Sequence, residues 1–198
     1  MVKASYNVLL GSWTQAVIDL VNETGADLVL TMQKNGLFVK GKTMLNPDTV
    51  AEKTNIPVIT IPPAGGMPEL TSVLIPVTDF LPVRKLMYGV YFAMHYNAVI
   101  RLLAVGDDRT RSVAQYYLER SYELIRDNCT LKTELEIAGQ SNIAGAISGC
   151  TKAKPTSLVI VNPRTQTKMP GLLATLTGNI LQKHSMQPVL TVTPFSNH

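Results

Sequence analysis

With 198 residues, the chain is long enough to bury a substantial core and suits one domain, or one domain plus a fragment of another. Hydrophobic residues at 45% and charged ones at 16% exclude disorder, and the apolar runs are too short and too interrupted to insert into a membrane. The net charge of +4 comes from 18 scattered Lys and Arg with no basic run interleaved with aromatics, so no nucleic-acid partner is expected.

The chain opens with "YNVLLGSWTQAVIDLVNETGADLVLTM", where an apolar run at Tyr6–Leu10 reads as a strand. Ser12 followed by Gln15 predicts a helix start, and Gly25 predicts its left-handed exit. A strand beginning at Leu28, a helix over "VAEKT" and a strand at Pro57–Ile61 complete a β-α-β-α-β segment over residues 1–62. "PAGGMPEL" has the Gly and Pro density of a linker, placed at 63–69.

From Leu70 the chain alternates short β-branched runs with segments of helical period. Strands are predicted at Val73–Val77, Ile100–Val105, Leu131–Ile137, Ser157–Val161 and Pro188–Val192. In the first connecting helix Met87, Val90, Tyr91, Met94 and Ala98 share one apolar face, and in the second Ala114, Tyr117, Leu118 and Ile125 do so. Further helices at about 142–153 and 171–184 make residues 70–195 an α/β domain, an open doubly wound parallel sheet of five strands.

The end of that domain repeats the start of the chain. Pro57 lies 29 residues after Leu28, and Pro188 lies 30 after Leu158, with "PVITI" and "PVLTV" closing the two copies. Residues 1–62 therefore correspond to the last three strands of residues 70–195.

The phrases "LIPVTDF" at Leu74–Phe80, the turn from Gly139 into a helix at Ala144, "SLVIV" at the fourth strand and "ILQKHSMQPVLTV" at the last resemble the universal stress protein family in order and spacing. The resemblance implies strand order 3-2-1-4-5, helices on both faces and a tandem or dimeric architecture. Its first copy is incomplete here, so "YNVLL" lacks its neighbours. It must pair in a rearranged sheet, take partners from a second chain, or belong to a longer tandem.

Open parallel sheets bind ligands where the strand order reverses. In nucleotide-binding members of the family an acidic residue after strand 1 meets the adenosine, and a G-x2-G-x9-G-[S/T] loop after strand 4 holds phosphate. Asp79 and Val105 stand at the first two strand ends. In the loop, however, Asn162, Thr165 and Thr175 replace the three glycines and Leu176 the final Ser or Thr. Arg164 could attract phosphate, and a register slip would bring Thr177 to the helix start. The earlier copy keeps Gly36 but has Gln33, Asn46 and Pro47 at the other positions. Should a nucleotide bind, Asp79, Val105, Asn162, Arg164, Thr165 and Thr177 are the residues the resemblance assigns to it. Close approach of backbone N–H groups to phosphate needs glycine, so no cofactor is expected, ATP being the one the resemblance offers.

Cys129 and Cys150 lack metal-ligand spacing, and His95, His184 and His198 form no triad with a Ser or Cys. No enzyme is read from these residues, no charged segment leading into an apolar one opens the chain, and a reduced, cytoplasmic setting is expected. Two functions remain: a regulatory or interaction module acting through dimerisation, and an adenine-nucleotide-binding stress protein. The regulatory domain of a transporter is a third. Pro57–Ile61 and Pro188–Val192 read as edge strands, each opened by a proline, and are expected to lie against each other within the chain or across a homodimer.

Overall fold

A computed structural model describes residues 4, 6–8, 11–32, 45–62, 69–139, 142–163 and 187–195. The incomplete copy supplies α1 (Trp13–Thr24), β1 (Val29–Met32), α2 (Pro47–Thr54) and β2 (Val58–Ile61). α1 ends as predicted: Gly25, at φ 63°, returns its N–H to the Val21 carbonyl in a left-handed turn open to glycine. Its start differs, because Ser12 makes no side-chain cap and Gln15 donates to Asp19 at 2.7 Å.

The complete copy follows as β3 (Ser72–Val77), α3 (Val83–Tyr96), β4 (Val99–Ala104), α4 (Arg111–Asn128), β5 (Thr133–Ile137), α5 (Ile143–Ala153), β6 (Leu158–Val161) and β7 (Val189–Thr191). The helix predicted at 171–184 lies outside the described residues, as does all of the predicted linker except Glu69.

All the described strands join one sheet, ordered β1-β2-β7-β6-β3-β4-β5. Within it β5-β4-β3-β6-β7 are parallel neighbours in the predicted 3-2-1-4-5 order. The sheet has seven strands instead of five because the incomplete copy extends it. β2 and β7 pair antiparallel, with Val58 opposite Thr191, Ile59 opposite Leu190 and Thr60 opposite Val189. The two strands expected to lie against each other thus do so within the chain, and since β2 also bonds β1 and β7 also bonds β6, neither is left as an edge of the joined sheet. The two copies share their register: Val29 N–H donates to the Pro57 carbonyl and Val159 N–H to the Pro188 carbonyl, both at 3.0 Å.

The first predicted strand is not formed at residues 6–8, where Tyr6 is 90% and Val8 83% exposed. Leu9 and Leu10 lie outside the described residues. The physical reason is the missing pair of neighbours: an isolated strand has no ladder to offset its ordering cost. Among the described residues the incomplete copy thus contributes α-β-α-β.

Helices cover both faces. α3 and α4 bury Leu86, Ala93, Ala114, Leu118 and Ile125 against Val73, Ile75, Ile100, Leu102, Ile160 and Leu190. On the opposite face, α5 packs Ile143, Ala146 and Ile147 on Leu74, Leu103 and Val159. On that same side α1 and α2 place Ile18, Val50 and Ala51 against Val58. Strands covered on both faces are buried along their whole length and largely apolar, as in β2, β3 and β6, where Thr60 and Ser72 are the polar exceptions.

The face of α3 differs in part from the one predicted: Val90 packs against the core and Ala98, just past the helix, is buried, but the other three residues are not. Met87, Tyr91 and Met94 are 58%, 56% and 62% exposed, while Lys85, Leu86, Gly89 and Ala93 are buried. Close approach decides this: a Cβ on Gly89 would stand 2.5 Å from Ile75 Cδ1, so the helix meets β3 along its small side chains.

The junction of the copies makes an opposed pair of predictions. Leu190 is fully buried, and Leu190→Ala should cost about 3 kcal/mol by leaving a cavity. Thr60 Oγ1 is buried with no hydrogen-bond partner among the described residues, so Thr60→Val should gain about 1 kcal/mol. Urea unfolding of both variants checks the signs.

Candidate functional site

The strand order reverses between β3 and β6, and the chain leaves these strands in a cleft of ≈ 490 Å³ lined by Phe80–Lys85, Asn162, Pro194 and Phe195. Its cause lies in one residue of β3. The Ser72 carbonyl accepts from Ser157 N–H, whereas the Val77 carbonyl accepts from Val105 N–H on the other side. Backbone groups of Ser72, Leu74 and Pro76 therefore face β6, and those of Val73, Ile75 and Val77 face β4. Pro76 has no N–H to give, and the β3–β6 pairing stops with Leu74 opposite Val159.

The carbonyl left at that point is taken by a side chain. Lys85 Nζ, only 1% exposed, donates to the Pro76 oxygen at 2.5 Å. Burial lowers its pKa from 10.5 to about 7. The neighbouring Arg84 turns the other way. It donates to the Asn55 side chain, to the Asn55 carbonyl at 2.6 Å and to Thr193, and stands 5.9 Å from the Phe195 ring centre. Asn55 ends α2 at φ 58°, so a cation meets carbonyls at a helix C-terminus, where the dipole favours it. Arg84 thereby ties the complete copy to the incomplete one.

The predicted site residues divide as follows. Asp79 is half-buried just past β3; Val105, 2% exposed, follows β4 and sends its side chain into the α5-side core; Asn162, 4% exposed, follows β6. These three stand at the carboxyl ends of adjacent strands. Asn162 Nδ2 donates to the Val192 carbonyl at 2.7 Å, holding the exits of β6 and β7 together. Arg164, Thr165 and Thr177 lie outside the described residues, as do Gln33 and Gly36 of the earlier loop. In that copy Asn46, at the last glycine position, caps α2: its Oδ1 accepts from Asp48 N–H at 3.1 Å and Thr49 N–H at 3.2 Å. The helix donors that could hold a phosphate are engaged by the protein itself. Beside Asp79, the Thr78 hydroxyl is buried without a partner among the described residues.

Sequence reading missed Arg84 and Lys85. A proline inside a central strand was the available signal, because a ladder that stops there leaves backbone groups that must find partners elsewhere.

A second buried polar cluster lies at the amino ends of the strands. Arg101, 1% exposed, makes two bonds to Glu136, at 2.7 and 3.0 Å, and one to Thr156 at 2.6 Å. Burial opposes the charge on Glu136, yet bonds from Arg101 and the Cys150 thiol hold its pKa below the usual value. Burial, with Glu136 adjoining, pushes Cys150 up to about 12, which makes it a poor nucleophile. Among the described residues, no group of three or more His, Cys, Asp or Glu could hold a metal ion.

A parallel block ordered 3-2-1-4-5, with helices on both faces and a cleft at the reversal, is the doubly wound class of α/β protein. Within that class the chain has the universal stress protein fold. It is similar to a universal stress protein from Archaeoglobus fulgidus, with a TM-score of 0.66 and 12% identity over 92% of this chain and 67% of that one. A putative universal stress protein from Pseudomonas aeruginosa matches with a TM-score of 0.60 and 16% identity, over 93% of this chain and 69% of that one. The cytoplasmic domain of a prokaryotic cation chloride cotransporter matches with a TM-score of 0.57 and 10% identity, over 91% and 70%. At these identities the likeness is one of fold. No family model and no curated protein matches the sequence.

Lys85 gives the cleft a pH signature. Its folded pKa is depressed, so from about pH 7 towards pH 10 the unfolded chain holds a proton that the folded protein lacks. Stability rises with pH across that window and loses this contribution below it. Lys85→Met should flatten the rise, measured as the change in urea midpoint between about pH 7 and pH 9.

Proposed function

We infer that the chain is a regulatory or interaction module of the universal stress type, without enzymatic activity and acting through association. The observation that carries this reading is Asn162. It occupies the first glycine position of the phosphate loop, and its amide is spent on the Val192 carbonyl. A glycine there would let backbone N–H groups approach an anion, whereas the asparagine carries a side chain that bonds to the protein's own backbone. Asn46 supports the same conclusion in the other copy by capping α2 with its own oxygen.

A second reading, an adenine-nucleotide-binding stress protein, is favoured by the buried hydroxyl of Thr78 beside Asp79 at the reversal point. The likeness to a cotransporter's cytoplasmic domain favours a third, the cytoplasmic regulatory domain of a transporter. Among the described residues no helix is long and apolar enough to cross a membrane.

Calorimetry with ATP and AMP on protein freed of nucleotide separates the first two readings. The module reading expects no binding in the micromolar range and no difference between wild type and Asp79→Ala. Micromolar binding of either nucleotide that Asp79→Ala abolishes would replace it with the second reading.

A further inference from the structure

The two edges of the sheet differ in chemistry. β5 carries Glu134 and Glu136, which engage Lys132, Lys154 and Arg101, and charge on an edge discourages pairing with another chain. β1 reads Val-Leu-Thr-Met, with no charge and no proline, and among the described residues it pairs with β2 alone. Because Val29 N–H donates to the Pro57 carbonyl, Val29 and Thr31 direct their backbone groups at β2. Leu30 and Met32, alternating with them, direct theirs outward.

The same two residues expose their side chains, Leu30 at 61% and Met32 at 64%. They lie opposite Ile59 and Ile61, which are 3% and 7% exposed. One apolar layer of the sheet thus runs to the edge strand and ends there in two uncovered side chains beside outward-facing backbone groups.

We propose that this edge docks with the same edge of a second copy of the chain, β1 against β1, antiparallel about a twofold axis. A second copy is the occupant that the chemistry selects. It cannot lend the strand that flanks β6 in the complete copy, because β3 is held between β4 and β6. It can offer an edge. β5 against β5 sets Glu134 and Glu136 near their own copies, and β1 against β5 is head to tail, so a pair joined that way still leaves one edge of each kind open. β1 against β1 brings no charges together and closes. With the axis at Thr31, Leu30 of each copy exchanges hydrogen bonds with Met32 of the other, and their side chains meet on one face. The chain already makes a junction of this kind between β2 and β7. The proposal rests on the sheet and is independent of whether a nucleotide binds.

Sedimentation equilibrium of the full chain between about 1 and 200 µM tests it, the range suited to a small interface. A monomer–dimer equilibrium is expected, with Leu30→Lys/Met32→Lys weakening the dimer at least about tenfold. The double variant should keep the wild-type circular dichroism spectrum, since both side chains are exposed. Hydrogen exchange of wild-type protein decides the matter should that variant fail to fold: the Leu30 and Met32 amides should exchange more slowly as concentration rises. A monomer across the range overturns the proposal, as do edge amides indifferent to concentration and a dimer that the double variant leaves intact. So does a dimer dissolved by Leu135→Lys on β5 or by Met94→Lys on α3, which would assign the contact to those surfaces.

Discussion

The antiparallel ladder between β2 and β7 is the interaction on which the rest of the structure depends. Without it the incomplete copy would be a two-stranded sheet under two helices, too small to bury a core of its own. With it, Ile59 and Ile61 enter the same apolar layer as Leu190, Val192 and the strands of the complete copy. Its centre is the Ile59–Leu190 pair, and on either side Val58 meets Thr191 and Thr60 meets Val189. Equivalent residues of the two copies thus exchange places across the junction, as in a dimer folded into one chain. Arg84 adds a polar tie from α3 to the end of α2, where its charge suits the helix dipole.

The cleft at the strand reversal is shaped by a donor that is missing. Pro76 cannot bond β6 through nitrogen, so the ladder ends and the strand ends separate. A carbonyl left in the core would cost more than an ordinary exposed group, and Lys85 answers it at the expense of its own hydration. Asn162 closes the neighbouring gap between β6 and β7. The geometry of a ligand site therefore persists while several groups around it are occupied with holding the protein together. Arg101 follows the same rule at the other end of the strands, where Glu136 and Thr156 satisfy a guanidinium sealed from water.

Much of this was legible in the chain. Strand positions in the complete copy followed from β-branched runs bounded by turns, and the duplicated phrase placed β2 and β7 in matching roles; the structure adds that the opening proline of each offers its carbonyl to the neighbouring strand. Asp79, Val105 and Asn162 could be placed at strand ends because parallel order dictates where those ends gather. Other features were not legible, for identifiable reasons. The apolar period of α3 fits two faces, and packing of Gly89 on Ile75 selected the one with small side chains. Lys85 drew no notice in the sequence because its acceptor belongs to a strand residue that only the fold brings beside it.

Local pattern alone determined most element types, the repeat and the doubly wound parallel class of the complete copy, since these rest on periodicity and on the handedness of parallel crossovers, while the strand order came from the family resemblance. Tertiary structure decided which strands became edges and which polar groups were spent inside. Pro57–Ile61 and Pro188–Val192 have the composition of edge strands and were expected to meet; the fold decided that they do so within one chain, where each gives the other the hydrogen bonds that an edge leaves open. Tyr6–Leu10 has the composition of a strand, yet residues 6–8 form none, because a strand exists only with a neighbour to bond. Pairing is a property of two segments at once, and no single segment carries it.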